Sequence, residues 1–208
     1  MIRVLIVDDH PIFRQGLAAL IAGSPDMTVV AEEDDGLRAL RVAKDVAWDV
    51  ALLDVSMPRL NGIEVLRRLA KEFPARKILM LSQFPESQFA ARVVREGAAG
   101  YLSKSGPPEL VVEAIRRVAA GKSIAPPAAR ADGAEPAPKA RLPHETLSPR
   151  EYQVFTLIAS GRSVTETAAE LNVATSTVSN HLVQVKAKLD APTLGAIVAY
   201  AHRVGLVE

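Results

Sequence analysis

Five short apolar runs, at residues 3–7, 28–31, 50–53, 78–81 and 100–102, punctuate the first 121 positions of the chain, and each is followed by a stretch with helical spacing. Ile12, Leu17, Leu20 and Ile21 mark one such helix, and Ile63, Leu66 and Leu69 mark another. Near-continuous apolar runs suit strands buried on both faces. Strands alternating with helices imply right-handed crossovers, and hence one parallel sheet covered by helices on both sides. Ligands of such open sheets bind beyond the carboxyl ends of the strands, where the strand order reverses.

The charged residues fall at that end. Asp8 and Asp9 follow the first run, Asp54 follows the third, Ser82 closes the fourth and Lys104 lies just past the fifth. Three clustered carboxylates repel one another unless a cation balances them. Mg²⁺ takes hard oxygen ligands, and Asp8, Asp9 and Asp54 are suited to supply them. A carboxylate can also attack phosphorus, with metal and ammonium offsetting the charge on the phosphoryl oxygens. Asp54 is the expected nucleophile, Lys104 the countercharge, and Ser82 a hydroxyl for the same phosphate. Singly, each residue has a plainer reading: Asp9 as a cap of the helix that opens at Pro11, Lys104 as a loop lysine, Tyr101 as core.

The 208 residues suffice for two modest domains, and residues 124–146, rich in proline and alanine, read as a linker between them. The chain has no cysteine, which excludes a disulfide frame and a thiolate zinc site. No apolar run approaches the roughly 20 residues needed to cross a bilayer, so a soluble cytoplasmic protein without a membrane partner is expected.

The remainder reads as all helix. Ser148-Pro149-Arg150-Glu151 is a capping box with proline at the first helical position, followed by a stripe of Val154, Leu157 and Ile158 that ends at Ser160-Gly161. Ser163 to Glu166 repeats the box, and Asn172 suits a left-handed turn between helices. The next helix buries Val178, Leu182, Val185 and Leu189, and a last one runs from about Thr193 to Val204. A polar helix after a short turn is the layout that inserts a recognition helix into the DNA major groove.

Asp8-Asp9, Asp54 with Met57-Pro58 and Asn61-Gly62, Ser82, Tyr101 and Lys104-Ser105 together resemble the receiver domain of two-component response regulators. Residues 147–207 resemble the LuxR-type DNA-binding domain through Leu147 to Glu151, Gly161, Ala168, Leu171, Thr177-Val178, His181 and Lys188-Leu189. The whole chain is thus similar to NarL/FixJ-type regulators. That resemblance implies a flavodoxin-like, doubly wound (βα)5 receiver at 1–121, a linker at 122–146 and an all-α, four-helix helix-turn-helix domain at 147–208. By the same resemblance, a histidine kinase phosphorylates Asp54, Mg²⁺ is held by Asp8, Asp9 and Asp54, and Ser82 and Tyr101 shift together as a switch. The chain is then not an enzyme but a phosphorylation-controlled transcription factor that forms a homodimer on phosphorylation or DNA binding. Its duplex contacts are expected from Thr175, Ser176, Thr177, Ser179, Asn180, Gln184, Lys186 and Lys188.

Departures from the family pattern open an alternative. Gln83 stands where a small residue is usual, Ser176 and Ser179 where basic residues are usual, Leu194 where arginine is usual, and Ala174 where a hydroxyl cap is usual. From His144 onward, five basic residues face six acidic ones. Duplex affinity depends on phosphate neutralisation. The alternative is therefore a receiver whose output domain acts through protein contacts with weak or no DNA binding. A phosphohydrolase using Asp54 covalently is disfavoured, because Ser56 stands where such enzymes place an acidic general acid.

Overall fold

A computed structural model describes residues 1–57, 60–83, 86–124, 142–204 and 206, with the side chains of 86–88 and 145 excepted. Pro58 of the Met57-Pro58 pair, and most of the expected linker, lie outside the described residues. The chain divides into two compact units, the division falling between Ala134 and Glu135.

In the first unit β1 (Ile2–Val7), α1 (Pro11–Ala22), β2 (Met27–Glu33), α2 (Gly36–Asp45), β3 (Val50–Asp54), α3 (Gly62–Glu72), β4 (Lys77–Ser82), α4 (Glu86–Arg95), β5 (Gly100–Ser103) and α5 (Pro108–Ala119) alternate. The strands pair in parallel in the order β2-β1-β3-β4-β5. The expected doubly wound sheet is what forms. Because successive strand residues point to opposite faces, the apolar runs feed two cores at once. Val4, Ile6, Val50, Leu52, Leu79 and Leu81 pack with Leu17 and Ile21 of α1 and Val111, Ile115 and Val118 of α5. Their neighbours Leu5, Val7, Ala51, Leu53, Ile78 and Met80 are equally buried.

Two details position the strand ends. Asn61 caps α3, its side chain accepting a bond from Glu64 N, and Gly62 N donates to Val55 O at 3.0 Å. A Cβ on Gly62 would overlap the carbonyl oxygen of Asp54, so the helix can approach the end of β3 only through glycine.

The second unit holds a short 3₁₀ turn (Pro143–Thr146), α6 (Pro149–Ala159), α7 (Val164–Glu170), α8 (Thr175–Leu189) and α9 (Leu194–Arg203). Both expected capping boxes form, at Ser148/Glu151 and Ser163/Glu166. Asn172 adopts the left-handed conformation at φ 51°, and α8 buries the expected Val178, Leu182, Val185 and Leu189. The 3₁₀ turn falls at the end of the stretch read as linker, and its His144 is buried with Nδ1 2.8 Å from the Tyr200 hydroxyl.

Candidate functional site

In the observed strand order the chain steps from β1 outward to β2 and then returns to the other side of β1 for β3, so the order reverses between β1 and β3. Asp8 and Asp9 leave the end of β1 there, and Asp54 is the last residue of β3. Lys104 is drawn to the same end, because its backbone N–H donates to Ser82 O at 2.7 Å and continues the β4/β5 ladder. Asp8, Asp54, Ser82 and Tyr101 are all buried.

The carboxylates share two cations. Lys104 Nζ lies 2.7 Å from Asp8 Oδ2 and 2.9 Å from Asp54 Oδ2, and 4.8 Å above the ring of Phe13. His10 Nδ1 faces Asp9 Oδ1 at 2.9 Å, Asp8 Oδ1 at 3.2 Å and Asp54 Oδ2 at 3.7 Å. Asp8 Oδ1 also accepts His10 N, and Asp54 Oδ1 accepts Ser56 N at 3.2 Å. Despite these short approaches, Asp8 Oδ2, Asp9 Oδ1 and Asp54 Oδ2 take part in no aligned hydrogen bond. Three carboxylates therefore share one ammonium and one imidazole, each of these oxygens lying within 3 Å of one of the two.

The protonation equilibria reflect that crowding. Burial pushes the Asp54 carboxyl up, against the pull of His10 and Lys104. For Asp8 burial acts in the same direction, but the bonds from His10 and the charge of Lys104 outweigh it, and its pKa is lowered. The Asp54, Asp8 and Asp9 carboxylates hold His10 protonated up to about 11. A divalent cation among these oxygens would favour ionised Asp54, the form that attacks phosphorus.

Asp8, Asp9, His10 and Asp54 each present a ligand atom within 4.8 Å of the others. The donor set fits a hard divalent cation through its three carboxylates. His10 had no part in the sequence reading beyond its place before Pro11; it is the N-cap residue of α1, with no side-chain cap bond. The plainer alternative for Asp9, a cap of α1, is not what forms. Beside the cluster, an open cleft of about 510 Å³ is lined by His10, Ile12, Phe13, Gln83, Lys104 and Ser105. Gln83 stands exposed at its edge.

On α8, Thr175, Ser176, Ser179, Asn180, Gln184 and Lys188 are exposed, and Thr177 and Lys186 are half-buried. Ala174 is the N-cap residue and supplies no side-chain cap, as its side chain dictates. Ser179 Oγ turns back to Thr175 O at 3.0 Å, and Lys188 Nζ donates to Glu151 Oε2 at 2.6 Å. Lys188 thus pins α8 to α6. His181, partly buried, has its pKa lowered by that burial.

Comparison with known proteins settles what this arrangement belongs to. Residues 4–116 match the model of the response regulator receiver domain. The chain is a response regulator. Residues 145–201 match the model of the luxR family of bacterial regulatory proteins. Over the whole length of both chains this response regulator is 34% identical to the transcriptional regulatory protein LiaR of Bacillus subtilis. It is 36% identical to a probable transcriptional regulatory protein NarL of Mycobacterium tuberculosis, covering 100% of this chain and 96% of that one. Among solved structures, RcsB of Salmonella typhimurium, described for conformational dynamism in DNA interaction, covers 99% of this response regulator and 98% of its own chain at 26% identity and a TM-score of 0.57. The family is one of transcriptional regulators, and no described helix is long and apolar enough to cross a membrane.

Proposed function

We propose that this response regulator is a phosphorylation-controlled, DNA-binding transcription factor acting in the cytoplasm, with a receiver at 1–121, a linker at 122–146 and an output domain at 147–208. A histidine kinase supplies the phosphoryl group. The P–N bond to the kinase histidine breaks, and a P–O bond forms to a carboxylate oxygen of Asp54. The observation that carries this reading is Lys104 Nζ, buried within 3 Å of both Asp8 and Asp54 at the switch point of the sheet. An ammonium so placed offsets the charge that the transferred group brings. Asp8, Asp9 and Asp54 would hold Mg²⁺, which when bound supplies further neutralisation at the phosphoryl oxygens.

Ser82 and Tyr101, buried on adjacent strands, are the switch: a hydroxyl that bonds the phosphate only when it is present repacks its surroundings. The consequence is a homodimer whose α8 helices read paired half-sites of duplex DNA. Thr175, Ser176, Thr177, Ser179, Asn180 and Gln184 supply short polar contacts, with Lys186 at a phosphate. Lys188 reaches the duplex only by leaving Glu151.

The test is duplex binding by the full chain with and without a small-molecule phosphodonor. Phosphorylation tightens sequence-selective binding, binding weakens as salt rises, and Asp54→Ala removes the phosphodonor effect. The salt-bound Lys188 favours one second reading, an output domain that works by protein contacts. Absence of salt-dependent duplex binding in the phosphorylated chain would establish that reading and end the first.

A further inference from the structure

Helix α8 turns its buried stripe of Val178, Leu182, Val185 and Leu189 into the output unit. At about 3.6 residues per turn the opposite line of the helix carries Ser176, Asn180, Val183 and Ala187, and all four are exposed. No charged residue stands on that line. Lys186 and Lys188 fall on its two flanks, each roughly a quarter turn away. Lys186 is half-buried, and Lys188 is held by Glu151 Oε2 at 2.6 Å. Ser179 Oγ, on the same side as Lys186, is engaged with Thr175 O. The middle of the line therefore presents one carboxamide and, nearly a turn further on, one aliphatic side chain, Val183, which is 60% exposed.

These two groups match two base edges. In the major groove thymine presents a methyl group, and adenine presents the adjacent acceptor and donor that an asparagine carboxamide grips with two bonds. Guanine is read most often by arginine or lysine, and neither stands on this line. Valine is stiff at χ1 in a helix, so its methyls are held in place before any partner arrives. Asn180 and Val183 are separated by about 4.5 Å along the helix axis, comparable to the rise of about 3.4 Å from one base pair to the next. Small side chains at Ser176 and Ala187, a turn to either side, let the helix seat closely. We propose that Asn180 and Val183 read adjacent A·T pairs, Asn180 taking adenine and Val183 the thymine methyl, and so set the half-site of this regulator. The inference rests on the DNA-binding reading above and names its specificity determinants. Polarity picks out Asn180 in the sequence but passes over Val183, whose contribution is apolar.

The experiment starts with the full chain, treated with acetyl phosphate and Mg²⁺, capturing duplexes from a random-sequence pool. Each thymine of the enriched half-site is then replaced in turn by deoxyuridine, which removes the methyl and nothing else. Affinity is read by fluorescence anisotropy for wild type, Val183→Ala and Asn180→Ala, substitutions at exposed positions that leave the core untouched. Burial of one methyl is worth about a fourfold change in affinity. One deoxyuridine position per half-site is expected to weaken wild type by about fourfold and to leave Val183→Ala unaffected, a coupling that the double-mutant cycle isolates. Asn180→Ala is expected to lose roughly 5- to 150-fold of the preference for adenine at the neighbouring pair. Selected half-sites without adjacent A·T pairs, wild-type binding indifferent to every deoxyuridine, or a deoxyuridine penalty that persists in Val183→Ala would overturn the proposal while leaving DNA binding standing. Enrichment of no duplex at all would instead remove the DNA-binding reading, and this inference with it.

Discussion

Gly62→Ala tests how the fold fixes the acceptor. A Cβ at this position would overlap Asp54 O and come within 2.8 Å of the Asp54 carbonyl carbon and 3.0 Å of Val55 Cα. All three are backbone atoms and cannot rotate away. The carbonyl oxygen of Asp54 would lie only 1.8 Å away, so either α3 or the end of β3 has to move by about 1.6 Å to reach ordinary contact at 3.4 Å. Overpacking of a tight site costs about 3 kcal/mol. For a unit of this size that lowers the melting temperature by roughly 10 °C. The displaced backbone carries Asp54, and a misplacement of about 1 Å or more slows chemistry by roughly 100-fold. Calorimetry of the full chain should show a lowered receiver transition with the output transition unmoved, and labelling by acetyl phosphate should slow in parallel. A variant that melts with wild type and labels at the wild-type rate would refute the claim that this close approach positions Asp54.

Lys104→Met leaves Asp8 and Asp54 buried without their ammonium, so the receiver transition should fall by about 3 kcal/mol, and added Mg²⁺ should restore more stability than it gives wild type; equal Mg²⁺ effects in melting scans would count against the shared-cation picture. Bonds from Lys188 and Ser148 lower the pKa of Glu151 against the opposing effect of burial, so its stabilisation is complete above its ordinary value near 4.5 and lost as pH falls through the lower folded value. Chemical denaturation of the output unit should therefore weaken on acidification by about 1–3 kcal/mol more in wild type than in Glu151→Gln. Ser179→Lys places a cation on the exposed face of α8 and should tighten duplex binding and steepen its logarithmic salt dependence by about 0.9; an unchanged slope in anisotropy titrations would mean that this face does not meet phosphate.

Residues whose roles follow from local rules were legible in the sequence. The five strands announced themselves because burial on both faces leaves no polar alternation, and the carboxylates stood at their ends. Ser148, Ser163 and Asn172 were readable because capping and left-handed turns are decided within a few residues. The stripe of Val178, Leu182, Val185 and Leu189 followed from helical period. What stayed hidden depends on distance in the chain. His10 enters the pocket because the turn after β1, in which Asp8 Oδ1 accepts His10 N, aims its ring inward. Lys188 looked like an exposed cation until Glu151, 37 residues earlier, claimed it. The pairs Arg67–Glu96 and Arg116–Asp26 join elements far apart in sequence, and no local pattern announces them.

The central claim is that Asp54 carries a transferred phosphoryl group. Intact-mass spectrometry of the full chain after incubation with acetyl phosphate and Mg²⁺, followed by peptide mapping, tests it most directly. The account predicts one added phosphoryl group per chain on Asp54, dependent on Mg²⁺, lost in hydroxylamine and absent from Asp54→Ala. An unmodified wild-type mass, or equal labelling of Asp54→Ala, would contradict it.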